Sequence, residues 1–323
     1  MLVNDNFGGA NFMRKICLNC QFPVNLCTIR LYKGVHMTNV AVLTDSCASI
    51  PEALLERLHI STVAYYIHRG RDVLRDLVTI QRDEFLRWMT TARLLPTTAC
   101  PGPNDYFDAY KELAEEGRNE IISIQMTSKA SGGYQAATLA QTMMKDAYPD
   151  VRIEVVDTQN VSLCQGWMVI EAARAALTGL SLDRITATVR RMIPITHMIQ
   201  TADTLKYLYL GGRIGKAQQL VGSMLNIKPL IGMMDGVIVP LGRTHSRGQA
   251  YQQMADMVAD TIGKGKAKVA YVHAGAQREV EKLKEIVESK VEVVESFIAE
   301  LSPALAVHTG PGTAGLCYFP VEE

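Results

Sequence analysis

Four short turns, rich in hydroxyl groups and glycine, each follow an apolar run of this 323-residue chain. They cover residues 43–46 (LTDS), 95–102 (LPTTACPG), 127–137 (TSKASGGYQAA) and 307–315 (VHTGPGTAG). Backbone N–H groups and small hydroxyl side chains at the ends of strands and the starts of helices bind anions. None of the four turns brings an obvious nucleophile–base pair or metal cluster. The pattern therefore indicates a site that binds an anionic head group rather than one that performs a reaction.

Two of these turns supply the hydroxyl donors of the expected site. Thr97 and Thr98 lie in a loop bounded by prolines, and Ser131 and Gly132 lie at the start of a predicted helix whose dipole favours a negative charge. Each turn also has a purely structural interpretation. The first is then an ordinary polar connection, and in the second Ser131 is a helix N-cap followed by a tight glycine turn.

Four further residues are candidates for the site. Asp45 and Ser46 follow the first predicted strand, where ligands of open α/β sheets bind, although they equally suit the start of the next helix. His308 precedes a Gly-Pro-Gly turn and suits hydrogen bonding to a carboxylate, or simple packing against that turn. Arg213 follows two glycines, but the phosphate-loop pattern G-x-x-x-x-G-K-[ST] is missing, so Arg213 pairs with a carboxylate or faces a partner protein.

A hydrolase is the main alternative. Asp45, Ser131 and His308 are the residue types of a catalytic triad. The G-x-S-x-G signature of the nucleophile elbow is absent from the sequence. We therefore expect no catalytic residue, no metal ion and no cofactor.

Charge and composition exclude several classes of protein. Lys plus Arg and Asp plus Glu number 33 each, so the chain lacks the basic excess typical of nucleic-acid-binding proteins. Its apolar runs are shorter than the roughly 18 residues that a membrane-spanning helix needs. We expect a soluble protein.

The cysteines bear on the compartment and on the amino terminus. Seven scattered cysteines without a secretory signal favour reduced thiols and a cytoplasmic protein. Cys17, Cys20, Cys27 and His36 are the one set near zinc-ligand spacing, and a zinc site there is a minor alternative. Residues 1–36 lack regular periodicity, and we expect them to be a translated leader, non-native or disordered, with Met37 as the true start.

From residue 37 the pattern alternates strands with amphipathic helices. In the first half, the periodicity predicts strands at 40–43, 60–67, 120–126 and 152–156, and helices at 50–58 (with Ser49 as N-cap), 81–93, 104–116, 131–147 and 163–178. In the second half, it predicts helices at 204–208, 215–224, 247–262 and 277–288, and strands at 227–233, 237–241, 269–273, 291–297 and 304–308. Asp235-Gly236 predicts a hairpin. The fold class is α/β, with domains at 37–190 and 191–323 and a mostly parallel sheet in the first.

In this order, the motifs resemble those of the DegV family of bacterial fatty-acid-binding proteins. The resemblance runs over residues 40–318. It is carried by LTDS at 43–46, the T-x-x-P loop at 98–101, SKASG at 128–132, DTLKYLYLGGRI at 203–214, LNIKP at 225–229 and HTGPG at 308–312. The shared order and spacing make this combination specific.

The resemblance implies a two-domain α/β fold with one long-chain fatty acid buried between the domains. Carried over residue by residue, the carboxylate contacts are Thr98, Ser131 and His308. Asp45, Ser46, Ala99, Gly132 and Arg213 are expected to support them. Such proteins are similar to carriers that present a fatty acid to a separate fatty-acid kinase, which makes acyl phosphate for phospholipid synthesis.

The chain departs from the family pattern at three positions of the site. Ala99 stands where the family usually has Ser, Cys100 where it has Gln, and Gly133 where it has Thr. These changes predict fewer hydroxyl contacts to the head group, or greater reliance on backbone N–H groups.

The expected partners are a fatty acid, a kinase and transiently a membrane surface, with no nucleic acid. Two alternatives to a carrier stay open: a lipid hydrolase or acyltransferase that uses Ser131 with His308, and a regulatory protein with a structural lipid.

Overall fold

The computed structural model describes residues 40–92, 94–223 and 227–321. Within these ranges the strands are β1 (Val40–Asp45), β2 (Ile60–Val63), β3 (Tyr66–Arg69), β4 (Asp72–Arg75), β5 (Thr97–Ala99), β6 (Glu120–Gln125), β7 (Arg152–Asp157), β8 (His197–Thr201), β9 (Lys228–Met234), β10 (Val237–Thr244), β11 (Lys266–His273), β12 (Glu292–Glu300) and β13 (Ala314–Val321). The α-helices are α1 (Glu52–Arg57), α2 (Arg82–Thr91), α3 (Pro103–Glu115), α4 (Gly133–Ala147), α5 (Leu163–Leu177), α6 (Leu182–Met192), α7 (Lys206–Leu210), α8 (Arg247–Ile262), α9 (Gln277–Glu288) and α10 (Pro303–Thr309). Short 3-10 helices cover Ser46–Ala48, Ile193–Ile195 and Gly215–Ser223.

The first sheet is parallel and covered on both faces. Its strand order is β2-β1-β6-β7, and every neighbouring pair runs parallel. Alternate residues of β1 enter two different cores: Ala41 and Leu43 pack with α3 and α4, whereas Val40 and Val42 pack with α5 and α6. The α/β class and the parallel first sheet predicted from the sequence are confirmed.

The second sheet is mixed. Its order is β10-β9-β8-β13-β11-β12, with β11 and β12 parallel and the other neighbours antiparallel. Helices α8 and α9 pack on one face of it. On the other face, the Trp167 ring of α5 lies 5.5 Å from the Phe319 ring of β13, and its Nε1 donates to the carbonyl of Cys317 at 3.1 Å. Helix α5 therefore contributes to one core that both sheets share.

A small antiparallel sheet, β4-β3-β5, corrects the prediction of a single strand over residues 60–67. The chain leaves the first sheet at Val63, and Tyr66 begins a strand of the small sheet. Thr98, predicted in a loop, lies in β5 opposite Ile67 of β3. This sheet fixes the position of the Thr98 side chain.

The predicted strand at residues 304–308 is wrong, because these residues form helix α10. The Ser302 hydroxyl accepts a hydrogen bond from the Leu305 N–H as its N-cap, and Pro303 occupies the first turn. His308 therefore lies in the last turn of a helix. Gly310 then closes the helix with φ +78°, a backbone conformation that favours glycine. Strand β13 and helix α6 were not predicted.

Two predicted helix starts are also wrong. Helix α1 begins at Glu52 after Pro51, and Ser49 has φ +54°. The Ser49 hydroxyl instead accepts a hydrogen bond from the backbone N–H of Ser302 at 3.0 Å. Helix α4 begins at Gly133, with Gly132 rather than Ser131 as its N-cap residue.

Residues Met37–Glu323 form one compact unit. The expectations for residues 1–36, the leader and the alternative zinc site at Cys17, Cys20, Cys27 and His36, lie outside the described residues. The division into domains at 190 and 191 stays a prediction; α6 ends at Met192 and leads to β8 of the second sheet. Among the helices of the described ranges, none is long and apolar enough to cross a membrane.

Candidate functional site

A cavity of about 420 Å³ is bounded by the segments that follow β1, β6 and β7, by β5, by the β9–β10 hairpin and by α10. Much of its wall is apolar and includes the side chains of Met126, Val161, Met198, Met233, Ile238 and Leu305. Its polar side chains include those of Tyr65, Thr98, Ser131, Ser162, Gln200 and His308. Six of the eight predicted site residues line this one cavity: Thr98, Ala99, Ser131, Gly132, Arg213 and His308.

The first polar contact of the cavity joins Thr98 to His308. The Thr98 Oγ1 and His308 Nε2 atoms are 2.8 Å apart, although the residues are 210 positions apart in the chain. Burial, and to a smaller extent the positive charge of Arg213, lower the pKa of His308 to about 4. The imidazole is therefore neutral at pH 7. Its Nδ1 is buried without a hydrogen-bond partner in the part of the chain that the structure describes.

The second polar contact joins Ser131 to Tyr65. The Ser131 Oγ and Tyr65 hydroxyl oxygen are 2.7 Å apart, and the backbone N–H of Gly133 also points to Ser131 Oγ at 3.4 Å. Tyr65 is 4% exposed, and burial raises the pKa of its phenol well above the ordinary value. Tyr65 is therefore a protonated phenol in direct contact with the predicted head-group serine.

The Gly-Gly-Arg turn lies beside these contacts. Arg213 is exposed, and its Nη1 donates to the carbonyl of Gly211 at 2.7 Å. Its Nε lies 3.5 Å from the carbonyl of Ala130, next to Ser131. A Cβ built on Gly211 would lie 2.5 Å from His308 Nδ1, so a side chain there would displace the imidazole. The turn thus brings one positive charge to the edge of the cavity and leaves room for His308.

Asp45 and Ser46 do not line this cavity, but each accepts a hydrogen bond from the backbone of a residue that does. Asp45 is fully buried, and its carboxylate accepts hydrogen bonds from the backbone N–H groups of Cys47 and Met126 and from Gln165. Burial raises the pKa of Asp45 to about 6. Ser46 Oγ accepts from the backbone N–H of Tyr65 at 3.1 Å. The two residues therefore fix the turn before Ser131 and the backbone of Tyr65. Asp45 also caps the 3-10 helix Ser46–Ala48.

In the described ranges, the three residues of the alternative hydrolase triad are hydrogen-bonded to other partners. The Ser131 hydroxyl is hydrogen-bonded to the Tyr65 hydroxyl, and His308 Nε2 is hydrogen-bonded to Thr98 Oγ1. The Asp45 carboxylate is bonded to backbone amides and to Gln165. Over the described ranges, no group of three or more His, Cys, Asp or Glu side chains is arranged to hold a metal ion.

Tyr65 is the contact residue that the sequence analysis missed. It sits between β2 and β3, in a run that reads as one continuous strand. The sequence carries no local signal for it, because its relation to Gly133, the second glycine after Ser131, exists only in the folded structure. A Cβ built on Gly133 would lie 2.8 Å from the Tyr65 hydroxyl oxygen, so the phenol occupies space that a side chain at 133 would need.

The chain was compared with known protein families and their members. A model of the family described as an uncharacterised protein, DegV family, matches residues 39–321. A DegV domain-containing protein of Caldanaerobacter subterraneus is 29% identical over 283 residues, which cover 87% of this chain and 99% of the relative.

Solved structures give the same result. A DegV family protein from Thermus thermophilus, described by its fatty acid binding, is 30% identical with a TM-score of 0.82 over 87% of this chain and 99% of its own. A stearic acid-binding protein from Eubacterium ventriosum is 27% identical with a TM-score of 0.80, over 87% of this chain and 98% of its own. The chain belongs to the DegV family.

Proposed function

We propose that the cavity binds one long-chain fatty acid, with the carboxylate at Thr98, Ser131 and His308. One observation carries the proposal: two hydroxyls and a neutral imidazole line the same cavity as many apolar side chains. Relatives described as binding fatty acid or stearic acid share the fold over nearly their whole length. We call the part of the cavity formed by Thr98, Ser131, Gly132, Arg213 and His308 the head-group end.

The acyl chain supplies most of the binding free energy in this proposal. Each buried methylene is worth roughly 0.8 kcal/mol, so a tail of about sixteen carbons offers on the order of 12 kcal/mol before entropic losses. A neutral hydrogen bond contributes a net of only about 0.5–1.5 kcal/mol. The hydroxyls therefore orient the ligand and select a carboxylate, whereas the apolar wall sets the affinity.

The head-group end suits an ionised carboxylate. The hydroxyls of Thr98 and Ser131 donate to its oxygens, and the guanidinium of the exposed Arg213 balances its charge from the edge of the cavity. The amino-terminal end of α4 also lies at the head-group end, and its helix dipole favours an anion.

We further propose that the protein is a carrier and performs no reaction itself. Thr98, Ser131 and His308 are half-buried and Gly132 is exposed, so a partner enzyme has access to the carboxylate. A fatty-acid kinase would transfer the γ-phosphoryl group of ATP to it, releasing ADP and giving acyl phosphate for phospholipid synthesis. The carrier would also contact a membrane surface transiently. The free thiols of Cys47, Cys100, Cys164 and Cys317 suit a reducing cytoplasm.

Substitution of the Thr98 and Ser131 hydroxyls tests the head-group assignment. Ser131→Ala and Thr98→Val each remove one donor, and we expect each to weaken fatty-acid binding by about two- to tenfold, the effect of one hydrogen bond. Phosphoryl transfer by a kinase should fall further, because transfer requires an oriented carboxylate. Ser128→Ala, in the same loop but away from the cavity wall, is the matched control.

Unchanged binding and unchanged transfer with both variants would contradict the assignment. Esterase activity that Ser131→Ala abolishes would favour the hydrolase instead. Lipid that cannot exchange, together with no productive kinase, would favour a regulatory protein with a structural lipid.

A further inference from the structure

We propose that Tyr65 is a positioning residue, which holds the Ser131 hydroxyl so that its proton points to the ligand carboxylate, and that Gly133 makes this arrangement possible. The inference deepens the proposed function and rests on it. It assigns a role to a buried phenol that lines the cavity. It also explains why the first residue of α4, Gly133, is a glycine.

The hydrogen-bonding capacity of the two hydroxyls sets the direction of their contact. In the described ranges, the structure gives the Tyr65 hydroxyl one hydrogen-bond partner, Ser131 Oγ at 2.7 Å. A buried O–H group that finds no acceptor is costly, so the Tyr65 proton goes to Ser131. Ser131 Oγ also accepts from the N–H of Gly133 at 3.4 Å. With both acceptor positions filled, the one proton of Ser131 is free for the ligand.

The surroundings of Tyr65 keep it in the donor role. Burial is the main cause that raises the pKa of its phenol, and the nearby Asp45 charge raises it further, so the phenol stays protonated at physiological pH. The neighbouring phenol of Tyr106 is already engaged, since it donates to Gln125 Oε1 at 2.8 Å. The Tyr65 backbone is held on both sides, by Ser46 Oγ at its N–H and by the N–H of Asp76 at its carbonyl.

Gly133 provides the space. A Cβ at this position would lie 2.8 Å from the Tyr65 hydroxyl oxygen and 3.1 Å from that of Tyr106. The nearest ring carbon of Tyr65 would be 3.7 Å away, an ordinary contact distance. The conflict with Tyr65 is therefore with the hydroxyl group alone. Tyr65 and Gly133 act as a pair, in which the phenol oxygen occupies the volume that the glycine leaves.

The test compares ligands that differ only in the head group. Palmitic acid and 1-hexadecanol are titrated into delipidated protein by calorimetry. We expect Tyr65→Phe to weaken palmitic acid binding by about fivefold, as for one hydrogen bond, and to leave 1-hexadecanol binding within about twofold. Tyr66→Phe is the matched control: this neighbouring tyrosine donates to Asp105 Oδ1 at 2.7 Å and does not line the cavity, so both affinities should stay unchanged.

Double substitutions separate positioning from general damage. In a Ser131→Ala background, Tyr65→Phe should cause no further loss of palmitic acid affinity, because the residue acts through Ser131. Gly133→Ala should weaken palmitic acid binding in the wild-type chain and have less effect in Tyr65→Phe, where the clashing oxygen is gone. Thermal unfolding of each variant verifies that it is folded.

Three results would overturn the proposal. The first is a palmitic acid affinity that is unchanged or increased in Tyr65→Phe, and the second is a loss of 1-hexadecanol affinity in Tyr65→Phe as large as that of palmitic acid affinity. The third is a palmitic acid affinity in the double variants that falls by the product of the two single losses. A wild-type protein that binds neither ligand would instead refute the proposed function itself, so the two failures are distinguishable.

Discussion

At the head-group end of the cavity, the hydroxyls of Thr98 and Ser131 each have a neighbour that occupies one of their hydrogen-bonding positions. Thr98 meets the imidazole of His308, and Ser131 meets the phenol of Tyr65. Burial keeps the imidazole neutral and the phenol protonated at pH 7. A carboxylate only accepts hydrogen bonds, so the two hydroxyls serve it best when these neighbours fill their acceptor positions.

The neutral state of His308 is open to direct measurement. The pKa of His308 is lowered from 6.5 to about 4, first by burial and then by Arg213. Between these two pH values the unfolded chain binds a proton that the folded chain does not. This group therefore reduces the free energy of unfolding as the pH falls from about 6.5 to about 4, by about 3 kcal/mol in total. We expect NMR of the ligand-free protein to show an imidazole that stays neutral down to about pH 5. A midpoint near 6.5 would contradict this.

At the scale of elements, helix α10 depends on contacts with a distant part of the chain. The backbone N–H of Ala304, in the first turn of α10, donates to Asp76 Oδ1 at 3.1 Å. His308 lies in the last turn of the same helix. Asp76 is fully buried, and within the described ranges its Oδ2 has no hydrogen-bond partner. Burial raises the pKa of Asp76 to about 6, although the nearby hydroxyls of Ser46 and Ser302 and the positive charge of Arg82 act to lower it. The ionised carboxylate at neutral pH therefore opposes folding.

Asp76→Asn should stabilise the protein in a pH-dependent way. Because the folded pKa lies above the unfolded value of 3.8, the stability associated with this group is complete below pH 4 and is lost as the pH rises through 6. We expect the variant to gain up to about 3 kcal/mol in the free energy of unfolding at pH 7.5 and almost nothing at pH 4, measured by urea unfolding. The exposed Asp72→Asn, on nearby β4, should change stability little at either pH. A less stable Asp76→Asn protein at pH 7.5 would refute this reasoning.

The sequence predicted long, strongly periodic elements best. Helices α8 and α9 were predicted with the same bounds that the structure has, and the hairpin at Asp235-Gly236 is confirmed. The four-residue apolar run 304–307 was predicted as a strand, because so short a run fits a strand or a buried helix equally well. The arbitrating signal was Ser302-Pro303, a cap followed by a proline in the first turn. Strand β5 was missed because its three residues pair only through tertiary structure.

At the scale of the whole molecule, the site is made of residues from distant parts of the chain. Thr98 and His308 are 210 positions apart, and Tyr65 and Ser131 are 66 apart. The turn motifs and the family resemblance together identified six residues that line the cavity. They did not identify Tyr65, whose role comes from the way the chain leaves the first sheet for the small one. Which hydroxyl faces which neighbour is a property of the packed sheets.

The central claim is that this cavity holds a fatty acid, and the most direct test is mass spectrometry of what the purified protein releases on gentle denaturation. We expect the wild-type protein to release one equivalent of a long-chain fatty acid per chain. The Thr98→Val and Ser131→Ala variants should release less. A protein that is recovered empty and takes up no added fatty acid would contradict the account and leave only the fold.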